Sequence, residues 1–299
     1  MKAVQFSRFG GPEVLEIVEV EDPHPGRDQI RIAVRAAGVN PIDWKVRSGA
    51  MGGDLPRRTG VEVAGIVDEL GEGVDDVAIG DRVFASAAGG AAELALSGFY
   101  APIPEGLDFV AAAALPVAAE TAVRTLTLVG AEAGQTLVVN GASGSVGIAV
   151  VQFARDRGLR VIGTAGPANQ DYVASFGAEP TTYGEGLVDR VRALAPDGID
   201  RAIDAAGGGA LPALVQLTGS PERVITIADY AGAQQTGVRF TGGGGEERAR
   251  GALRDVAALI EGGGFELPVA QTFPLKQIAE AHRISETGHP RGKLVLTVP

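Results

Sequence analysis

Along the first hundred residues, apolar and polar side chains alternate in short runs. Leu15-Glu16-Ile17-Val18-Glu19-Val20, Gln29-Ile30-Arg31-Ile32-Ala33-Val34-Arg35 and Gly65-Ile66-Val67-Asp68-Glu69-Leu70 are separated by Pro, Gly and Asp. A period of two between turn residues predicts strands with one buried face. Such a succession predicts a small, partly open β-barrel over residues 1–105. Around Pro102-Ile103-Pro104-Glu105-Gly106 the pattern gives way to an alanine-rich stretch, 109–128, that predicts helix. From 135 to about 240 strand and helix patterns alternate, with strands near 136–139, 160–164, 199–204 and 223–228 and helices from 145, over 168–176 and over 210–218. That alternation predicts a doubly wound parallel sheet with helices on both faces. After Gly242-Gly243-Gly244-Gly245, a helix is expected over 246–260, with Leu253, Val256, Ala257 and Ile260 as its core stripe. The tail predicts a strand from 265, a helix over 275–285 and a strand over 293–298. These patterns assign 1–105 and 265–299 to one domain and 106–264 to a nucleotide-binding domain.

The sharpest local signal is Leu137-Val138-Val139-Asn140-Gly141-Ala142-Ser143-Gly144-Ser145-Val146-Gly147, a β-branched run that breaks into glycines and then into a helical apolar pattern. Backbone that must approach a pyrophosphate closely cannot carry Cβ atoms, and a helix starting near Ser145 aims N–H groups at the phosphates. The expected cofactor-binding residues here are Gly141, Ala142, Ser143, Gly144, Ser145, Val146 and Gly147. About 20 residues further on, sheets that prefer NAD carry Asp or Glu to accept from the ribose 2′-hydroxyl. This chain has Gly163-Thr164-Ala165-Gly166-Pro167-Ala168-Asn169-Gln170 there, with no acid before Asp171. A 2′-phosphate is not repelled at Thr164 and Ala165, so NADPH is the expected cofactor, although this loop supplies no Lys or Arg.

The chain's 299 residues can bury two cores. The absence of cysteine excludes disulfides, thiolate nucleophiles and Cys-ligated zinc. A net charge of −11 argues against nucleic acid and anionic membranes as partners. No run is apolar enough to span a bilayer, and Met1-Lys2-Ala3-Val4-Gln5-Phe6 opens directly as a strand, so a soluble, cytoplasmic protein is expected. None of Tyr100, Tyr172, Tyr183 and Tyr230 has Lys four residues on. The glycine turn lacks the last Gly of a Gly-x-Ser-x-Gly elbow and has no phosphate-loop Lys.

Seven segments occur in an order that resembles the medium-chain dehydrogenase/reductase superfamily, in its zinc-independent quinone oxidoreductase branch. They are Phe9-Gly10-Gly11-Pro12-Glu13-Val14-Leu15, Gly38-Val39-Asn40-Pro41-Ile42-Asp43-Trp44-Lys45, Val63-Ala64-Gly65-Ile66-Val67, Val77-Ala78-Ile79-Gly80-Asp81-Arg82-Val83, Ala114-Leu115-Pro116-Val117-Ala118-Ala119-Glu120-Thr121-Ala122, the glycine turn, and Arg291-Gly292-Lys293-Leu294-Val295. The resemblance covers essentially the whole chain and implies a GroES-like domain beside a Rossmann domain. It implies that Asn40 and Thr121 line the nicotinamide, that Ala142 to Val146 hold the pyrophosphate and that Tyr183 lies by the adenosine phosphate. Ala206, Gly207 and Ile227 border the cofactor in the same reading. It further suggests a homodimer built by extending the nucleotide-domain sheet. Gln170 stands where relatives carry Lys, and Gly60-Val61-Glu62 stands where zinc-bearing relatives read Gly-His-Glu. With His24, His282 and His289 the only histidines, a catalytic zinc has no ligand set.

Without a Lewis acid the expected substrates are a quinone or an α,β-unsaturated carbonyl. In the second, hydride adds to the β-carbon and the enolate is protonated afterwards. Lys45 is the candidate for stabilising the developing oxyanion, against a surface or Asp43-paired lysine. Asp43 is either a proton relay or a cap on a helix starting at Trp44. Trp44 and Tyr230 either wall the pocket or fill core and surface positions. Arg291 reaches a cofactor phosphate or is a surface residue at a strand entry. A dedicated biosynthetic enoyl reductase or reductive cyclase, and a redox sensor that binds NADPH without turnover, are the competing functions.

Overall fold

The computed structural model describes residues 1–288 and 291–299, so His289 lies outside the described residues. The chain forms two compact units, Met1–Val117 with Leu253–Pro299, and Ala118–Ala252.

The first unit is built on the ten-residue strand Ile30–Val39. Its first half pairs with Leu94–Ser97 and its second with Lys293–Thr297, while its other side pairs with Glu62–Leu70. Register shifts between Arg31 and Ile32 and between Val34 and Ala36 let one strand serve these partners, because each bulge bends and twists it. Among the described residues the strands form an open seven-stranded sheet and a separate three-stranded one, not a closed barrel. Ile30, Ile32, Val34, Val63, Val67, Val83, Leu294 and Leu296 make the core, with the alternation their sequence predicts.

The second unit is a parallel six-stranded sheet in the order Glu179–Thr181, Arg160–Thr164, Thr136–Asn140, Arg201–Asp204, Val224–Thr226, Arg239–Phe240. Numbered within the unit, this is the 3-2-1-4-5-6 order of dinucleotide-binding sheets, which reverses beside Thr136–Asn140. Val138, Ile162, Ala202, Leu211, Leu214 and Val224 fill one of its faces.

Four expectations change. The stretch 109–128 is two helices, Phe109–Ala113 and Pro116–Leu128, since Pro116 lacks an N–H and favours a helix start. Phe109–Ala113 packs on the strands of the first unit, which therefore extends to Val117 and not to 105. The helix expected over 246–260 begins only at Ala252, after a 3₁₀ turn at Gly245–Glu247. That helix also joins the first unit, with Arg254 paired to Asp76 at 2.7 Å, so the second crossing falls at 252 and not at 264.

Candidate active site

In the nucleotide unit the strand Thr136–Asn140 runs into Gly141, whose φ of +84° favours glycine. The turn is anchored to the neighbouring strand: Gly141 N donates to Thr164 Oγ1 at 3.1 Å and Ala142 N to the Thr164 carbonyl at 2.9 Å. The helix Ser145–Asp156 has Gly144 as N-cap with no side-chain cap, so the N–H groups of its first turn have no partner within the helix. A Cβ on Gly147 would lie 2.2 Å from the Gly141 carbonyl oxygen and 2.7 Å from Ala142 Cα. Only glycine lets the helix pack this closely on the turn. An uncapped helix start packed through Gly147 against a turn opened by Gly141 fits a dinucleotide pyrophosphate.

A buried polar chain crosses the carboxyl ends of four adjacent strands. Thr164 Oγ1 donates to Asn140 Oδ1 at 2.7 Å, Asn140 Nδ2 to Asp204 Oδ1 at 2.8 Å, and Thr226 Oγ1 to Asp204 Oδ2 at 2.7 Å. Asp204 also accepts from Gly207 N at 2.8 Å and Ala206 N at 3.2 Å, and its carbonyl accepts from Ile227 N. Thr164, Ala206, Gly207 and Ile227, chosen from sequence, are thus held on one ridge. Asn140, Asp204 and Thr226, which hold it, are not among the expected site residues. Their signal was a polar residue closing each apolar strand at the same register.

Past the end of Arg160–Thr164, Gln170 Nε2 donates to the carbonyls of Ala165, Gly166 and Thr181 at 2.8, 3.1 and 3.3 Å. Tyr183 is 60% exposed, and its hydroxyl is 3.5 Å from where a Cβ on Gly166 would stand. The 163–170 loop has no Lys or Arg, and Arg190 on the later helix Leu187–Leu194 reaches the loop that carries Tyr183. Arg190 donates to the carbonyls of Thr182, Tyr183 and Glu185 at 2.9, 3.3 and 2.8 Å. Thr121 is buried on Pro116–Leu128, where its Oγ1 accepts from Arg124 at 3.4 Å. Arg124 also binds Glu120 and Thr241, so Thr121 sits in a braced helix turn.

In the first unit Asn40, Asp43, Glu62 and Lys293 form one cluster, with relative exposures of 3, 4, 0 and 4%. Asn40 caps the helix Pro41–Arg47 in extended backbone conformation, and its N–H donates to Asp43 Oδ2 at 2.8 Å. Asp43 Oδ1 accepts from Gly60 N at 3.3 Å. The helix therefore starts at Pro41, not at Trp44, and Asp43 caps from within its first turn. Burial pushes the Asp43 carboxyl up to about 7; Glu62 adds to the rise, while the two N–H groups and Lys293 oppose it. Glu62 Oε2 accepts from Val117 N at 2.8 Å, at the start of Pro116–Leu128. Its Oε1 accepts from Asn40 Nδ2 at 2.8 Å and lies 2.6 Å from Lys293 Nζ, which donates to Asn40 Oδ1 at 2.5 Å. Glu62 and Lys293 are site residues that the sequence reading leaves out. Their signal is a charge that opens an apolar run, Val63 to Val67 after Glu62 and Leu294 to Leu296 after Lys293.

This donor set does not fit zinc. Glu62 is taken by an ammonium, Val61 offers no lone pair, and among the described residues no three His, Cys, Asp or Glu converge. Lys45 does not pair with Asp43; its Nζ lies 5.7 Å from the centroid of the half-buried Trp44 ring, a cation–π contact. Trp44 Nε1 is buried with no acceptor among the described residues. Arg291 is exposed before the strand that carries Lys293 inward, and Tyr230 is exposed, edge-on to Phe240.

Residues 26–114 match the alcohol dehydrogenase GroES-like domain and 176–296 the zinc-binding dehydrogenase domain. A quinone oxidoreductase of Rattus norvegicus is 36% identical over 99% of this chain and 97% of that protein. The chain belongs to the medium-chain dehydrogenase/reductase family, quinone oxidoreductase branch. A polyketide synthase protein of Streptomyces orinoci, from a spectinabilin system, is 34% identical over 91% of this chain and 13% of its own length. A mycobacterial structure complexed with NADPH superposes with a TM-score of 0.85 at 27% identity, covering 99% of this chain and 100% of that one. As a member of the family the protein is an oxidoreductase with a nicotinamide cofactor and a small-molecule substrate. No helix among the described residues is long and apolar enough to cross a membrane.

Proposed function

We propose that the protein transfers hydride from NADPH to a quinone or an α,β-unsaturated carbonyl without a metal. The observation that carries this reading is the uncapped start of Ser145–Asp156 above a turn with no room for a Cβ at Gly147, followed by a second strand that ends without an acid. Bound NADPH would supply the hydride. The free N–H groups of Ser145, Val146 and Gly147 hold the pyrophosphate, with the backbone of Ala142 to Gly144 against it; the ridge of Thr164, Ala165, Ala206, Gly207 and Ile227 borders the cofactor, and Tyr183 lies beside the adenosine phosphate. Thr121 and Asn40 are assigned to the nicotinamide end, and Arg291 to a cofactor phosphate. Lys45 is assigned to the developing oxyanion, with its ammonium steered by the Trp44 ring face. Asp43 holds the Asn40 and Gly60 backbone through both carboxylate oxygens.

The test is the initial rate of NADPH and of NADH oxidation with a 1,4-quinone and with a linear enone. Quinone turnover with NADPH favoured is the expected result. Turnover of the enone alone favours the second reading, an enoyl reductase of a biosynthetic system, which the likeness to the polyketide synthase protein supports. Binding of NADPH with no oxidation by either acceptor would defeat the first reading and leave a narrowly specific reductase or a non-catalytic sensor.

A further inference from the structure

The side-chain amide of Asn40 lies between a buried anion and a buried cation, and the three groups form a closed triangle. Asn40 Nδ2 faces Glu62 Oε1 at 2.8 Å, Asn40 Oδ1 faces Lys293 Nζ at 2.5 Å, and the two charged groups touch at 2.6 Å. A carboxamide is nearly symmetric in shape, and its orientation is normally set by weak preferences between neutral partners. Here a flip would press the amide NH2 against an ammonium and its oxygen against a carboxylate. Charge-assisted hydrogen bonds in a buried site make that reversal costly. The remaining hydrogen on Nδ2 has no acceptor among the described residues.

The surroundings keep the triangle rigid. Glu62 is anchored through Oε2 to Val117 N at 2.8 Å. The Asn40 backbone is pinned by Asp43, and Lys293 lies on a strand whose next residues, Leu294 to Thr297, pair with Ala36 to Val39. Gly38 is part of the same construction: a Cβ there would lie 2.1 Å from Glu62 Oε1.

We infer that Glu62 and Lys293 are positioning residues that lock the Asn40 carboxamide in one orientation, so that it presents a hydrogen-bond donor and not an acceptor to a carbonyl oxygen of its ligand. This rests on the assignment of Asn40 to the nicotinamide end. The lock itself is a property of the chain and can be read without turnover.

The direct readout is the Asn40 side-chain NH2 in a nitrogen–proton correlation spectrum, assigned by its loss in Asn40→Asp. In the wild type the two hydrogens are expected to be inequivalent and slow to exchange with solvent. In Lys293→Met the exchange accelerates, and Lys293→Arg restores protection at least in part. Turnover gives the second readout. Lys293→Met is expected to lower kcat by roughly tenfold or more, the scale of a mis-set polar group at a reacting centre, with the NADPH Kd within about threefold of wild type. Should Lys293→Met not fold, Glu62→Gln decides, because its carboxamide keeps the size and an acceptor while removing the anion. Unchanged exchange and unchanged kcat in either folded variant would overturn the lock. A wild type with a protected Asn40 amide that is inert toward every acceptor would defeat the proposed function and leave the lock standing.

Discussion

Two buried groups of the first unit titrate far from their ordinary ranges and in opposite directions. Burial pushes Asp43 from 3.8 up to about 7, so between those values the folded protein keeps a proton that the unfolded chain has released. Stability therefore falls as pH rises across that window and is level above it. His282, 1% exposed, is pushed from 6.5 down to about 3 by burial and then by the Arg47 guanidinium, whose Nη1 lies 3.4 Å from His282 Nδ1. Between 6.5 and 3 the unfolded chain takes up a proton that the folded protein refuses, so stability falls as pH drops. The two slopes oppose each other from about pH 4 to 6.5, each approaching about 1.4 kcal/mol per pH unit. His282→Gln should uncover a stability that declines from pH 4 to 7, and Asp43→Asn one that declines on acidification below 6.5. Urea midpoints of the three proteins between pH 4.5 and 8 check this, and parallel curves would refute it.

At the scale of elements, the turn between Thr136–Asn140 and Ser145–Asp156 admits no Cβ at Gly147, because the obstructing atoms are backbone. Gly147→Ala must push the helix off the turn, at about 1–3 kcal/mol for an overpacked site. It should weaken NADPH binding by at least about tenfold as the N–H groups lose their aim. A fluorescence titration giving wild-type affinity would refute the cradle. This turn was legible from sequence because strand, glycines and helix are contiguous and each has its own local signature. The parallel sheet was legible for the same reason, through the alternation of its elements. The break at Pro116 left a local mark too, but the alanine-rich composition around it masked it. The Glu62–Lys293 contact left none, since 231 residues separate partners that only the pairing of Ile30–Val39 with two distant strands brings together. Arg190 left no local mark either, since a helix and a strand separate it from the 163–170 loop before it reaches the Tyr183 carbonyl.

For the molecule as a whole, a net charge of −11 repels any dinucleotide, and repels NADPH more than NADH because of the extra phosphate. With the adenosine phosphate beside Tyr183, as proposed, Arg190 stands against this, since its guanidinium donates to the Tyr183 carbonyl at 3.3 Å. The two effects differ in range. Repulsion by the whole surface acts over tens of ångströms and is screened first, since the Debye length shrinks from about 30 Å at 0.01 M salt to about 10 Å at 0.1 M. An attraction over a few ångströms survives that change. Raising salt from 0.01 to 0.15 M should therefore increase the NADPH-over-NADH ratio of kcat/KM, by roughly threefold for about two extra charges moved out of a weak long-range field. In Arg190→Gln the ratio should be lower at every salt concentration but should rise with salt by a similar factor, because the long-range field is unchanged. A wild-type ratio that falls with salt would mean that contact attraction outweighs the field of the whole chain, and that the acidic surface has no part in choosing the cofactor.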